Sequence, residues 1–144
     1  MLYLDLNDDI YSWLRGESLN NAYIIGGSTV LSNNILSSVN ALTSSDISGN
    51  RLGGANRYET NAMVIERFYS ANINNVYASK GLELVDALTV GPIAALNGGV
   101  VVLCNTDLSA SQKNVLDSKT TNSIIQAGGG VSPNAIDSLK DALN

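Results

Sequence analysis

The feature that most constrains the fold is an internal repeat, in which the end of the chain resembles its beginning at a spacing of 101 residues. The segment at Tyr23-Ile24-Ile25 returns as Ile124-Ile125-Gln126, and both lead through glycines into a helical pattern. Identical pairs at this spacing include Gly27/Gly128, Val30/Val131, Asn33/Asn134, Ile35/Ile136, Ala41/Ala142 and Leu42/Leu143. We therefore predict the C-terminal half of one module in residues 1–45 and a complete module in residues 46–144.

Residues 46–144 alternate short apolar runs with helical patterns. The apolar run Val100–Cys104 is typical of a central strand covered on both faces. Asn56 and Ser109 begin capping boxes, and residues 85–96 form a helical pattern that ends at a glycine pair. This alternation predicts an α/β fold with a largely parallel sheet and helices on both faces. Residues 46–52 offer a short edge strand.

The first 45 residues repeat the back half of this plan. Residues 2–4 match the strand at 102–104, a helix is predicted around residues 10–14, and a strand and helix follow from Tyr23 and Ser32. Nothing in this half corresponds to residues 46–100, so we expect its sheet edge and apolar helix faces to be uncovered. We expect the chain to be a piece of a longer protein, or to be completed by another chain.

Composition excludes several classes of function. The chain has no histidine, which removes histidine-based triads and most zinc sites. Its single cysteine, Cys104, lies inside an apolar run and is predicted to be a buried core residue rather than a reactive thiol. No apolar stretch is long enough to span a membrane, and no signal peptide is visible, so any export signal is expected outside this sequence.

Charge is unevenly distributed along the chain. The net charge is −5, yet residues 51–80 carry four basic and two acidic side chains. One interpretation is chance in a small sample; the other is a basic spot suited to an anionic ligand. A pI near 4.4 argues against general nucleic-acid binding.

Two motifs carry a family resemblance. The segment Arg51-Leu52-Gly53-Gly54-Ala55-Asn56-Arg57-Tyr58-Glu59-Thr60 is followed by Val85-Asp86-Ala87-Leu88, and then by the apolar strand at 101–104. This order resembles the clostridial cell-wall-binding repeat of type 2, found in S-layer and other surface proteins of Gram-positive bacteria. The likeness covers all of 46–144, and 1–45 fits the tail of a preceding module.

The resemblance implies a function that composition does not. Such modules occur in threes, pack as a pseudo-threefold trimer of Rossmann-like or Toprim-like units, and bind an anionic secondary polysaccharide non-covalently. The implied location is extracellular, at the cell wall or S-layer, with no enzyme activity and no cofactor in the module. The chain departs from the family at Cys104-Asn105 and at Gln126-Ala127-Gly128, which puts details of ligand contact in question.

The candidate ligand-binding residues are Arg57, Tyr58, Thr60, Asp86, Arg51 and Lys80. Arg57 follows a helix cap, where a guanidinium beside free helix N–H groups suits a phosphate or uronate; the alternative is a structural ion pair with Asp86 or Glu59. Asp86 is a helix cap or a partner of Arg57. Tyr58 either stacks on a sugar or is a half-buried core residue.

Other motifs favour structural explanations. The glycines at 26–27 and 128–130 lack the dinucleotide fingerprint and a Walker lysine, so tight turns are favoured over a phosphate cradle. The acidic run at 5–9 lacks EF-hand spacing, so an acidic helix start is favoured over a metal site. Wall anchoring is therefore the leading hypothesis, before an interaction module that uses the open edge and a nucleotide- or metal-dependent Toprim-like enzyme.

Overall fold

The computed structural model describes residues 6–143, which form two compact units that divide between Ala55 and Asn56. The helices are α1 (Asp8–Gly16), α2 (Asn33–Asn40), α3 (Arg57–Phe68), α4 (Val85–Leu96), α5 (Ala110–Leu116) and α6 (Pro133–Ala142). The strands are β1 (Ile24–Ile25), β2 (Arg51–Leu52), β3 (Asn72–Lys80), β4 (Val100–Cys104) and β5 (Thr120–Ala127). The predicted strand at residues 2–4 lies outside the described residues.

The second unit confirms the predicted α/β fold. Its sheet has the order β4-β3-β5, and both pairings are parallel. Val76 and Ala78 on β3 and Val102 on β4 are fully buried in a core that α3, α5 and α6 share. Helix α4 packs on the strands as well, and Asn97 at its end donates to the Tyr77 hydroxyl of β3 at 3.1 Å. Both faces of β3 are therefore covered, as a parallel sheet requires.

The outer edge of β4 is closed by side chains rather than by a strand. The Asn61 amide on α3 donates to the Val101 carbonyl at 2.9 Å and accepts from the Leu103 N–H at 3.0 Å. A residue of a neighbouring parallel strand would make the same pair of bonds. Gln112 of α5 is fully buried and donates to Asn61 Oδ1 at 3.0 Å and to the Leu103 carbonyl at 2.7 Å. Two helices are thereby attached to the strand edge.

The first unit is built around β1 and α2, with Ile24, Ile35, Val39 and Ile47 in its core. Helix α1 begins at Asn7, whose Oδ1 accepts from the Asp9 N–H at 2.7 Å, which is the acidic helix start that the sequence favoured. No residue of α1 is buried, and Ile10 and Trp13 on it are 51% and 64% exposed. The expectation of uncovered apolar helix faces in this half is confirmed for α1.

The predicted edge strand in 46–52 forms at Arg51–Leu52, but it pairs with β1. Residues 46–55 consequently belong to the first compact unit, although the repeat assigns them to the following module. The boundary between repeats at 45/46 stays a prediction, since a compact unit and a sequence repeat need not end at the same residue.

The structure also corrects the register of the repeat. Ser32 and Ser132 are the N-caps of α2 and α6, and Val39 and Leu139 are buried at the same turn of these helices. Both pairs are separated by 100 residues rather than 101. Burial and helix starts fix the register of a repeat, whereas several of the identities at 101 fall in loops and on exposed positions.

Replacement of Asn61 by alanine should destabilise the chain by roughly 2–4 kcal/mol, because it leaves the Val101 carbonyl, the Leu103 N–H and one Gln112 N–H without partners. The measurement is urea unfolding followed by circular dichroism. The control is Asn114→Ala on the exposed surface of α5. Equal midpoints for the two variants would show that the β4 edge does not depend on this amide.

Candidate functional site

Five of the six predicted site residues gather at one edge of the second unit. The carboxyl ends of β3, β4 and β5 meet there, which is where ligands bind in open α/β sheets. Arg57, Tyr58 and Thr60 lie in the first turns of α3, Lys80 ends β3, and Asp86 is in the first turn of α4. The sixth residue, Arg51, belongs to the first unit.

Arg57 is exposed and is held by one backbone contact. Its Nη1 donates to the Gly81 carbonyl at 2.5 Å, which joins the start of α3 to the end of β3. The structure therefore directs this guanidinium to a carbonyl rather than to Asp86. Asn56 caps the helix beside it and accepts from the N–H groups of Tyr58 and Glu59 at 2.9 and 3.0 Å. The other guanidinium donors of Arg57 form no hydrogen bond with residues 6–143 and can serve an anion.

Tyr58 is half-buried, as one of the two predictions for it stated. Its ring lies so close to the Cα of Gly81 that a Cβ there would be 2.5 Å from Tyr58 Cε1. Its hydroxyl is buried and has no hydrogen-bond partner within residues 6–143; the same holds for the hydroxyl of Ser79, near the end of β3. Buried hydroxyls without partners are uncommon, and both of these lie close to the carboxyl end of β3.

Asp86 does not cap α4. The N-cap position is Leu84, which has no side chain able to accept a hydrogen bond, and Asp86 lies in the first helical turn. Its carboxylate instead lies against the backbone of Gly128, where any Cβ would collide with it. Gly128 has a φ of 83°, a conformation that favours glycine. The contact joins the start of α4 to the end of β5.

Lys80 lines a cavity of about 250 Å³ at the same edge. The other lining residues are Leu82, Cys104, Asn105, Thr106, Gly130 and Ser132. Lys80 Nζ forms an ion pair with Glu83 Oε1 at 2.7 Å, and both side chains are partly or largely exposed. Its charge is therefore partly balanced, and a surface pair of this kind contributes little to stability.

Cys104 is 1% exposed, which confirms the predicted core position. Burial raises the pKa of its thiol to about 11, against a weaker opposite effect from a backbone hydrogen bond at Ser79. The thiol stays protonated at neutral pH because its pKa lies far above 7. It is therefore a poor nucleophile, although it borders the cavity.

Arg51 is fully engaged inside the first unit. Its Nη1 donates to the carbonyls of Gly26 and Leu31 at 2.8 and 3.0 Å, and its Nη2 donates to the Ser32 carbonyl and to Asn33 Oδ1 at 3.1 and 3.3 Å. These contacts hold β2 against the loop before α2. Arg51 thus acts as a structural clamp in this unit, and its predicted role in ligand binding gains no support from its geometry.

The groups at this edge are a guanidinium, a paired lysine, a carboxylate, hydroxyl groups and the start of a helix. Among the described residues there is no cluster of three or more His, Cys, Asp or Glu side chains that could hold a metal ion. A guanidinium and a helix start are groups that suit an anion.

Sequence reasoning missed the contacts that place these residues. Asn61 lies inside the apolar stripe of α3 next to the buried Ala62, and a polar amide there is the one signal that could have revealed its role. The contact between Asp86 and Gly128 joins residues 42 positions apart, and no local sequence pattern predicts it.

Comparison with known proteins is consistent across sequence and structure. The sequence model of the family Cell wall binding domain 2 matches residues 51–136. Cwp6 from Clostridium difficile superposes with a TM-score of 0.89 at 34% identity over 96% of this chain, and Cwp8 from the same organism with 0.83 at 30% over 97%. N-acetylmuramoyl-L-alanine amidase LytC of Bacillus subtilis (strain 168) is 30% identical over 81% of this chain.

The chain spans less than a quarter of each of these relatives: 22% of Cwp6, 24% of Cwp8 and 23% of LytC. No helix within residues 6–143 is long and apolar enough to cross a membrane.

Substitution of Gly128 by alanine should destabilise the second unit by roughly 2 kcal/mol or more, because the new methyl group meets the Asp86 carboxylate in a strained backbone conformation. Gly129→Ala is the matched control, since a Cβ at that position has open space. Thermal unfolding by circular dichroism measures both. A midpoint for Gly128→Ala equal to that of Gly129→Ala would contradict the contact.

Proposed function

Because the chain belongs to the cell wall binding domain 2 family, we propose that it anchors a longer surface protein by binding an anionic secondary polysaccharide of the cell wall. Proteins similar to it are associated with the cell wall, and modules of this family bind rather than catalyse. The observation that carries the choice of an anionic ligand is the exposed guanidinium of Arg57 beside the capped start of α3.

The proposed site consists of Arg57 as the main charge, with Lys80, Tyr58, Thr60 and Asp86 around it. Arg57 would bind a phosphate or carboxylate of the polymer with its remaining guanidinium donors. Lys80 would add charge when the ligand draws it from Glu83, its partner at 2.7 Å. The Tyr58 hydroxyl is buried against Gly81, so Tyr58 would support the backbone at the end of β3 rather than contact a sugar. Asp86 keeps the edge in shape through Gly128.

The charges around the proposed site determine its affinity for an anionic polymer. Glu59, Glu83 and Asp86 lie near the two basic residues in sequence, so this edge is not strongly positive. We therefore expect modest affinity for one repeat unit of the polymer, with anchoring supplied by several modules that bind one chain.

Arg57→Ala should weaken sedimentation of the chain with purified cell-wall polysaccharide by about tenfold or more, as loss of charge-assisted hydrogen bonds predicts. Arg67→Ala removes the same charge from the other end of α3 and is the matched control. Binding of the parent chain should also fall as salt is raised. Equal loss in both variants would indicate a general charge effect, and binding to neutral dextran as strong as to the polysaccharide would refute an anionic ligand.

A second candidate function is assembly with neighbouring modules, including the pseudo-threefold trimer that the family resemblance implies. Val85, Leu88 and Leu96 on α4 are 73%, 75% and 87% exposed, and α4 has no charged residue besides Asp86. Helices that are apolar all round are normally buried. We propose that another module covers this face.

The mass of the chain in solution should rise above 15.1 kDa with concentration if the α4 face associates. Light scattering over a concentration series measures this. Leu88→Glu should hold the chain at the monomer mass, whereas Asn114→Glu, with the same added charge on exposed α5, should not. A strict monomer at all concentrations would argue against an assembly function for this chain alone.

A further inference from the structure

The first unit contains an example of how the edge of such a sheet is covered. Strand β2 pairs in parallel with β1, with Ile24 opposite Arg51 and Ile25 opposite Leu52. The Ile24 N–H donates to the Asn50 carbonyl at 3.0 Å, and the Gly26 N–H donates to the Leu52 carbonyl at 2.8 Å. Strand β2, a short extended segment from the start of the second repeat, thus pairs with the edge of β1, the last strand of the first repeat.

Three features show that β2 packs specifically against β1 and the loop that follows it. The Arg51 fork reaches four acceptors in the loop and in the first turn of α2. Leu52 is buried. At Gly53 a Cβ would lie 2.5 Å from the backbone of Gly26 and Gly27, so only glycine allows this approach.

Strand β5 is the counterpart of β1 at the spacing of 100 residues, so Ile124 and Gln126 correspond to Ile24 and Gly26. The Gly81 N–H donates to the Cys104 carbonyl of β4 at 2.8 Å, and backbone groups alternate sides along a strand. Near the carboxyl end of β3, the backbone N–H and C=O groups of Ala78 therefore point towards β5. There they meet the backbone groups of the odd-numbered residues of β5. The backbone groups of Ile124 and Gln126 point away from β3, and in the described part of the chain β5 pairs with β3 alone.

The acceptors that the arginine fork uses also have counterparts. The carbonyls of Gly26, Leu31 and Ser32 correspond to those of Gln126, Val131 and Ser132, and Ser32 and Ser132 occupy the same cap position. The fourth acceptor is missing, because Pro133 stands where the first repeat has Asn33. The cap serine and the carbonyl before it are therefore present a second time, whereas the backbone differs at Gln126, because Gly26 has a φ of 142° and no described residue other than glycine has a positive φ.

We propose that the outer edge of β5, from Ile124 to Gln126, binds the extended Arg-Leu-Gly-Gly segment of another module by adding it as a fourth parallel strand. The inference rests on the proposed association of modules but not on polysaccharide binding. The segment comes from elsewhere than this chain's own β2, since β2 is already paired with β1. Main-chain hydrogen bonds supply the attraction, while the arginine and the glycine supply the selectivity.

A peptide with the sequence of residues 49–56, labelled at its N-terminus, tests this site against the full chain in polymer-free buffer. Fluorescence anisotropy should show saturable binding. A peptide with alanine in place of the arginine should bind about tenfold more weakly than the native peptide. A peptide with an N-methylated leucine lacks the leucine N–H that a neighbouring strand would accept, and it should bind no more tightly than the alanine peptide. Equal binding of all three peptides, or no binding of the native peptide, would overturn the proposal.

Variants of the chain locate the site. Gln126→Pro removes the outward N–H that corresponds to the Gly26 donor, and Gln126→Ala keeps it; both lose the same side-chain bond to the Gly128 carbonyl. Gln126→Pro should abolish peptide binding and Gln126→Ala should retain it, with folding checked by circular dichroism. Binding that survives Gln126→Pro in a folded chain would refute this edge. Failure of polysaccharide binding would leave these results unchanged, so the two proposals can fail separately.

Discussion

The second unit depends on one amide group that takes the place of a missing strand. The edge of β4 has unpaired N–H and C=O groups, and Asn61 meets two of them with the geometry of a parallel neighbour. Gln112 completes the arrangement from α5 while its own capping box with Ser109 fixes its position. Since Asn61 anchors α3 to the sheet, it also places the start of that helix, and with it Arg57, at the carboxyl ends of the strands. The position of the candidate site therefore depends on how the open edge of β4 is capped.

Local patterns in the sequence were sufficient for most elements of the second unit. The bounds of α4 and β4 agree with the predictions, because a glycine pair ends the helix and an apolar run fills the strand. The apolar residues predict strands at 75–78 and 123–127, whereas β3 and β5 begin three residues earlier, since the polar residues Asn72 and Thr120 pair in the ladder outside the apolar core. The strand at Arg51–Leu52 was expected in the sheet of residues 46–144, but it pairs with β1 of the preceding repeat. Local sequence patterns do not determine such long-range pairing.

The candidate site shows the same division. Of the six candidate residues that the motifs supplied, all except Arg51 lie where strand ends and helix starts converge in an open α/β sheet. The motifs did not identify their partners. Asp86 contacts Gly128, just after the end of β5, and Arg57 donates to a carbonyl. Arg51 donates to carbonyls of a loop in the first unit. Such assignments depend on backbone geometry that no residue pattern within one element encodes.

The two edges of the three-stranded sheet are unlike each other, and this gives the module a direction. Asn61 seals the β4 edge with side-chain amides, whereas the β5 edge keeps its backbone groups available. A sheet with two open edges can stack without limit, which is the route to fibrous aggregates. With one edge sealed, a further strand can add to this sheet from the β5 side only, so edge-to-edge association of the unit is limited to one direction.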